Sequence, residues 1–255
     1  MMRALYTAAS GMMAQQLNLD NISNNLANVN TTAYKKSRID FQDLLYTNLK
    51  DAGSDAPVGA QVGLGVRAVS TQRSFSQGSL SQTGNPLDVA IQGEGFFQVV
   101  RPDGSKAYTR DGAFNLNANG ELVNKNGDKL GITFPPGCTD IKIEPDGTIK
   151  AIKEGETEAS VIGKLQLVKF MNPQGLKAIG SNLFVETAAS GEPRIGTPGE
   201  KGFGGLAQGY LEKSNINVVE EMINIIQAQR AYEINQKGIQ AADQMERMAA
   251  QLKSK

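Results

Sequence analysis

The chain has 255 residues, enough for one large domain or two modest ones with a sizeable core. Its 26 basic and 26 acidic residues cancel, so no net field would recruit nucleic acid or an anionic membrane surface. With no His, no Trp and one Cys, it has no Ser-His-Asp or Cys-His catalytic arrangement, no imidazole metal site and no internal disulfide.

The sequence holds no long apolar run, so no membrane insertion is expected. Ala4–Gly11 is too mixed and polar for the core of a cleavable signal peptide. Export, if it occurs, is therefore expected by a route without one. Leu5, Ala8, Met12, Gln15, Leu19, Ile22, Leu26 and Val29 recur at alternating steps of three and four. This is the heptad seam of a helix of about 28 residues, roughly 42 Å long. Gly11 weakens such a helix by about 1 kcal/mol relative to Ala, but permits close helix approach. Between Ala4 and Tyr34 the only charge is Asp20, and the polar positions hold Gln16, Asn18, Asn21, Ser23, Asn24, Asn25 and Asn28. Amides donate and accept without the cost of burying charge, which reads as a helix contacted on several sides by neighbours. The plainer alternative is an Asn-rich helix end fraying into a loop.

Asp51–Gly65, with Pro57 and four glycines, reads as a mobile link. Beyond it the character turns to β. Strands are expected at Val66–Val69, Asp88–Ile91 and Phe96–Val100, and then at Ala107–Arg110, Ala113–Leu116, Glu121–Asn124 and Lys129–Phe134. Ile141–Ile143 and Lys164–Phe170 complete the set. The dipeptides Asp103-Gly104, Asp111-Gly112, Asn119-Gly120, Asn126-Gly127 and Asp146-Gly147 supply hairpin turns, giving an antiparallel meander.

Near the C-terminus, Asn217 precedes Glu220 by three, as an N-cap with its box partner would. Val218, Met222 and Ile225 open a second seam, continued in shifted phase by Ala231, Ile234, Gly238, Ala241, Met245, Met248 and Leu252. The shift predicts a change of twist at Gln227–Arg230. The expected fold is α+β: a mainly-β central domain with long N- and C-terminal helices pairing as a coiled coil. Its expected parts are a helical assembly domain (1–35 with 212–255), an extended bridging segment (36–74) and a β-rich domain (75–211). Two such helices bury little alone, so further copies are expected to stabilise them.

No credible active site appears, and no catalytic, cofactor-binding or metal residue and no cofactor is expected. Asn115, Asn117 and Asn119 have calcium-loop spacing, but all are amides and the twelfth position is Asn126, so a hairpin turn explains them better. Gly63-Leu64-Gly65 and Gly93-Glu94-Gly95 lack the third glycine of a dinucleotide loop. Glu220 and Glu221 are adjacent and point apart on a helix, where helix-start electrostatics account for them. Arg230, Tyr232 and Glu233 read as assembly contacts. Cys138 follows a Pro-Pro-Gly turn as a small semi-buried residue.

These segments resemble a known family. Leu5-Tyr6-Thr7-Ala8-Ala9-Ser10-Gly11-Met12 and Asn24-Asn25-Leu26-Ala27-Asn28-Val29-Asn30-Thr31-Thr32 are similar to the N-terminal signature of flagellar rod and hook proteins. Thr83–Phe97 and Tyr108–Phe114 resemble their central motif, and Gly209–Asn215, Val218–Met222 and Gln229–Glu233 their C-terminal one. Where the family commonly has Gly-Phe-Lys, this chain has Ala33-Tyr34-Lys35, losing a permissive glycine at a helix end.

The resemblance implies a non-enzymatic subunit that stacks helically into a hollow drive shaft crossing the periplasm. Length and the combined motifs point to its distal rod, with a proximal rod or hook subunit as the alternative. The implied inner layer is a coiled coil of the terminal helices, carried by Leu5, Met12, Leu19, Ile22, Leu26 and Val29 against Val218, Met222, Ile225, Ala231, Ile234, Met245, Met248 and Leu252. The implied partners are further copies of itself, proximal rod proteins, the hook protein, the P-ring and L-ring proteins and the flagellar type III export apparatus. Phe41 and Leu45 fit the Phe-x-x-x-apolar element which that apparatus reads, and the segment near Lys36–Arg73 is expected to bridge neighbours.

Overall fold

The computed structural model describes residues 2–50, 59–153, 160–200 and 202–253. The architecture is α+β, a mainly-β central region between a long N-terminal and a long C-terminal helix. It divides into two compact units. One comprises Met1–Ala27, Ser37–Ser74 and Asn217–Lys255, the other Asn28–Lys36 and Phe75–Ile216.

In the first unit, α1 spans Met2–Ala27 and α2 spans Val218–Lys253. At 1.5 Å per residue they are roughly 39 and 54 Å long. Helix α1 stops two residues short of Val29. There Asn28 and Thr31 turn to each other, through Thr31 Oγ1 to Asn28 Oδ1 at 3.1 Å and Thr31 N to Asn28 O at 3.1 Å. Short polar side chains offer the backbone such local alternatives to helix. At the start of α2, Asn217 Oδ1 accepts from Val219 N at 3.1 Å, an N-cap bond. Helix α2 passes through Gln227–Arg230 without interruption, so the expected change of twist there has no break to mark it.

Four strands form the rest of this unit: β1 (Ser37–Asp43), β2 (Tyr46–Lys50), β3 (Ala60–Gly63) and β4 (Val66–Arg73). β1 pairs with β4 from Ser37↔Arg73 to Asp43↔Val66, and β2 with β3 from Tyr46↔Gly63 to Lys50↔Ala60. Between them Leu44 N donates to Gly65 O at 2.8 Å and Leu64 N to Leu45 O at 3.2 Å. The two pairs are thus one long antiparallel ribbon, with a bulge at Asp40/Phe41. Of the expected link Asp51–Gly65, residues 51–58 lie outside the described residues, and Ala60–Gly63 is a strand. Gly65 needs its hydrogen: it has φ 112°, and a Cβ there would lie 2.2 Å from Ser10 Oγ.

The second unit is built from short strands. They are β5 (Leu80–Gln82), β6 (Val89–Gln92), β7 (Phe96–Val100), β8 (Lys106–Thr109), β9 (Asn115–Leu116), β10 (Glu121–Val123), β11 (Lys129–Thr133) and β12 (Cys138–Ile143). Then come β13 (Thr148–Lys153), β14 (Ser160–Lys164), β15 (Leu167–Lys169), β16 (Lys177–Gly180), β17 (Leu183–Val185), β18 (Arg194–Gly196), β19 (Gly205–Gln208) and β20 (Tyr210–Glu212). The largest sheet runs β16-β17-β8-β7-β11-β10-β9, with β15 joining β7 and β18. β12, β13 and β14 form a local meander, and β19 and β20 return to pair with β6 and β5. Every pairing is antiparallel, but β17–β8 and β15–β7 join strands about seventy residues apart in the chain, so the whole is not a simple meander.

The turn dipeptides act as expected at Gly104, Gly120, Gly127 and Gly147, all with φ between 76° and 86°. Gly112 differs. It makes no left-handed turn, but a Cβ there would fall 1.7 Å from Val89 O, so its lack of a side chain admits a crossing backbone. The apolar faces meet in one main core around Val89, Ile91, Phe97, Phe114, Leu122, Ile149 and Leu167. A second cluster holds Phe96, Tyr108, Phe170 and Phe184, with edge-on ring contacts such as Tyr108–Phe170 at 4.8 Å.

Candidate assembly interface

Helices α1 and α2 pack along each other, and two contacts set their direction. Asn25 Nδ2 donates to Glu221 Oε2 at 3.4 Å. A Cβ on Gly11 would lie 3.0 Å from Asn235 Nδ2. Moving from 25 back to 11 along α1 moves forward from 221 to 235 along α2, so the helices are antiparallel. On α2 the inward line is Glu221, Ala228, Asn235 and Ala242, at intervals of seven, with Glu221, Ala228 and Ala242 buried. Ala14, Ile22 and Asn25 are the buried positions of α1 among the described residues.

This places the expected seam residues unevenly. Ile22 is buried, and Leu5, Met12, Leu19, Leu26, Val29, Ile225 and Ala231 are half-buried. Val218, Met222, Ile234, Met245, Met248 and Leu252 are exposed in the single chain, Ile234 at 68% and Leu252 at 79%. With Val219, Ile223 and Ile226 they give α2 an outward apolar surface, matched on α1 by Tyr6, Met13 and Leu17. Exposure of so many large apolar side chains marks an interaction surface. The ribbon adds Leu45, exposed at 82%, with Tyr46 and Val69, while Phe41 stands at 36% on β1.

The amides of α1 divide as well. Asn21 and Asn25 were expected to face neighbours, yet both bind the start of β1. Asn21 Nδ2 and Asn25 Nδ2 donate to Ser37 O at 2.8 and 2.7 Å, and Ser37 Oγ donates to Asn21 Oδ1 at 2.6 Å. Gln16, Ser23 and Asn24 remain on the exposed side. In the second unit, Asn117 Oδ1 accepts from Asn119 N and Glu121 N, both at 2.9 Å. The loop that resembled a calcium site is a self-bonded hairpin.

The second unit also holds a buried ion cluster that no periodicity revealed. Glu212 Oε1 lies 2.7 Å from Lys35 Nζ and Oε2 lies 2.8 Å from Arg110 Nε, with both Lys35 and Glu212 side chains fully buried. Gly78 N donates to Glu212 Oε1 at 2.9 Å. Lys35 Nζ also donates to Ser76 O at 2.7 Å, and Arg110 to Gly95 O and Gly93 O at 3.0 and 2.9 Å. Each charged group is thus paired and hydrogen-bonded, as burial requires. Beside it Ala33, where the resemblance expects glycine, has φ 55°. Its N–H donates to Glu212 O at 2.8 Å, which holds the residue in a left-handed conformation costing roughly 1–2 kcal/mol without glycine.

Family descriptions match the chain in three places. "Flagella basal body rod protein" matches residues 5–35, "Flagellar hook protein FlgE/F/G D1 domain" residues 90–151, and "Flagellar basal body rod FlgEFG protein C-terminal" residues 207–252. The flagellar basal-body rod protein FlgG of Buchnera aphidicola subsp. Acyrthosiphon pisum is 48% identical over 260 residues, covering 99% of this chain and 100% of the relative. FlgG of Borreliella burgdorferi is 49% identical over 263 residues, covering 99% of each, and FlgG of Caulobacter vibrioides 48% over 262 residues, covering 99% and 100%. The chain belongs to the flagellar basal-body rod protein family. It is a structural rod protein of the flagellar basal body and not an enzyme. No helix among the described residues is long and apolar enough to cross a membrane. Each of the three family windows supplies one member of the ion cluster: Lys35 ends the first, Arg110 lies in the second and Glu212 in the third.

In this rod protein the cluster sets a pH dependence. Burial, then the Arg110 charge, pulls the Lys35 ammonium down from 10.5 to about 8, against the opposing pull of Glu212. Burial favours the neutral Glu212 acid, but Arg110 and Lys35 together hold its carboxyl below the usual 4.5. Between about pH 8 and 10.5 the unfolded chain binds more protons at Lys35 than the folded one, so this residue makes stability rise with pH there. Relative to Lys35→Met, the wild-type chain is expected to gain roughly 1–3 kcal/mol across that window in urea unfolding. Glu212 works at the other end: its contribution is present above the usual glutamate range and is lost as pH falls through its lowered value. A Lys35→Met profile parallel to wild type above pH 8 would contradict this assignment.

Proposed function

We propose that the chain is a subunit of the distal part of the rod, stacking helically into a hollow shaft that transmits torque from motor to hook. The outward apolar surface of α2 carries this reading, because a lone subunit gains nothing from exposing Met222, Ile234, Met245, Met248 and Leu252. In the shaft, α1 and α2 of successive copies pack as a coiled-coil inner layer, the seam residues meet there, and the β-rich segment forms the outer layer. The ribbon of 37–73 bridges neighbouring copies. A two-stranded ribbon is marginal alone, and its exposed Leu45, Tyr46 and Val69 are covered by that contact.

The partners follow from the same place in the flagellum: other copies of the chain, proximal rod proteins on one side and the hook protein on the other, with the P-ring and L-ring proteins around it. Delivery is by the flagellar type III export apparatus, with Phe41 and Leu45 as its recognition element. Both side chains are accessible, which that role needs. Imaging basal bodies after deletion of the gene tests the position. The expected basal body keeps the proximal rod and lacks everything beyond it. Loss of the proximal rod as well would make this a proximal subunit, and a complete rod without a hook would make it a hook subunit.

A further inference from the structure

The α1–α2 contact contains few large apolar side chains. Its buried apolar positions are Ala14 and Ile22 on one side and Ala228 and Ala242 on the other. A small-residue seam with a seven-residue repeat discriminates poorly between alignments, because sliding by one heptad restores nearly the same surface. Yet Asn25 and Glu221 are the buried polar side chains of the two helices among the described residues, at 0% and 1% exposure, and they meet each other. Fourteen residues further along each helix, Gly11 meets Asn235 so closely that a Cβ would stand 3.0 Å from the amide.

We propose that Asn25–Glu221 and Gly11–Asn235 form a two-point lock that fixes the antiparallel register of α1 against α2. The first point is chemical. A one-heptad slide in one direction carries Asn25 opposite Ala228 and Glu221 past the end of α1. In the other it carries Asn25 beyond the start of α2 and sets Glu221 opposite Asn18, which lacks the Ser37 bonds that aim Asn25. The second point is steric. Asn235 fits because Gly11 has no side chain, and a slide sets it against Asn18 or Ala4 instead. Asn25 is itself fixed: its Nδ2 donates to Ser37 O at 2.7 Å and its Oδ1 accepts from Ser37 N at 3.1 Å, so β1 aims the amide at α2. Polar residues at a helix seam trade stability for a single alignment. Here they do so within one chain, independently of what the outward surfaces join.

Disulfide trapping in a Cys138→Ser background tests the lock. The observed alignment sets residue 15 opposite residue 231, and a one-heptad slide sets it opposite residue 238. Gln15→Cys with Ala231→Cys is expected to cross-link in the otherwise native chain, and Gln15→Cys with Gly238→Cys is not. Adding Asn25→Leu with Glu221→Leu is expected to keep the helical circular dichroism and raise the 15–238 cross-link at least tenfold. Asn235→Ala, which relieves the steric point alone, is expected to raise it to a smaller extent. If both sets of variants retain only the 15–231 cross-link, the register is set by other residues. Loss of helicity with the β-rich unit intact would also overturn the lock, since the pair would then hold the helices together without choosing their alignment.

Discussion

Glu212→Ala is expected to lower the stability of the β-rich unit by about 3–5 kcal/mol. Among the described residues the carboxylate is the counter-charge in contact with both Lys35 and Arg110, and all three groups are buried. Removing it leaves two cations in a low-dielectric site and orphans Gly78 N, whose hydrogen bond it accepts at 2.9 Å. Domains are stable by only about 5–15 kcal/mol, so such a change leaves a measurable fraction unfolded. Glu212→Gln is expected to be milder, because an amide oxygen still accepts from Lys35 and Gly78, but not neutral, because its NH2 then faces the Arg110 Nε–H that the carboxylate accepted from. A triple change to Met at Lys35, Arg110 and Glu212 is expected to recover much of the loss, since apolar groups of similar volume often replace a buried ion cluster without penalty. The chain has no Trp, so urea unfolding is best followed by circular dichroism or tyrosine emission. Near-equal midpoints for wild type and Glu212→Ala would mean that the cluster is incidental to the fold.

The cluster also shows where sequence reading reached its limit. The strands at Phe96–Val100 and Lys106–Thr109 and the four hairpin glycines were legible, because alternation and positive φ are local properties. Lys35, Arg110 and Glu212 were visible within motifs, but nothing local links positions 75 and 102 residues apart; only the folded topology brings them together. Of the ribbon, only part of β4 was read as a strand, at Val66–Val69; β1 has polar residues at much of its exposed surface, so hydrophobic alternation, the usual mark of a strand, is weak there. The helices were found from their apolar repeat, and on α1 the repeat includes the buried Ile22, but on α2 the buried line is a different one. Glu221, Ala228, Asn235 and Ala242 repeat every seven residues without being strongly apolar, so a search by hydrophobicity finds the outward stripe first.

That distinction yields the second large effect. Ile234→Asp is expected to leave the isolated subunit folded and to abolish motility, whereas Ile22→Asp is expected to destabilise the helical unit itself. Ile234 is 68% exposed in the single chain, and an exposed substitution usually changes stability by no more than about 0.5 kcal/mol. In the proposed shaft the same position is covered, and a carboxylate there would cost several kcal/mol at every copy, which no polymer of identical contacts can absorb. Ile22 is 4% exposed in the single chain, so an aspartate there places a charge in the buried surface of the helical unit itself. Thermal melts of the purified variants, set beside swimming in soft agar, separate the two cases. An Ile234→Asp strain that swims like wild type would remove the outward stripe from the assembly surface. An Ile234→Asp subunit that melts as early as Ile22→Asp would show that position 234 supports the fold of the single chain, and its exposure would then not mark a contact between copies.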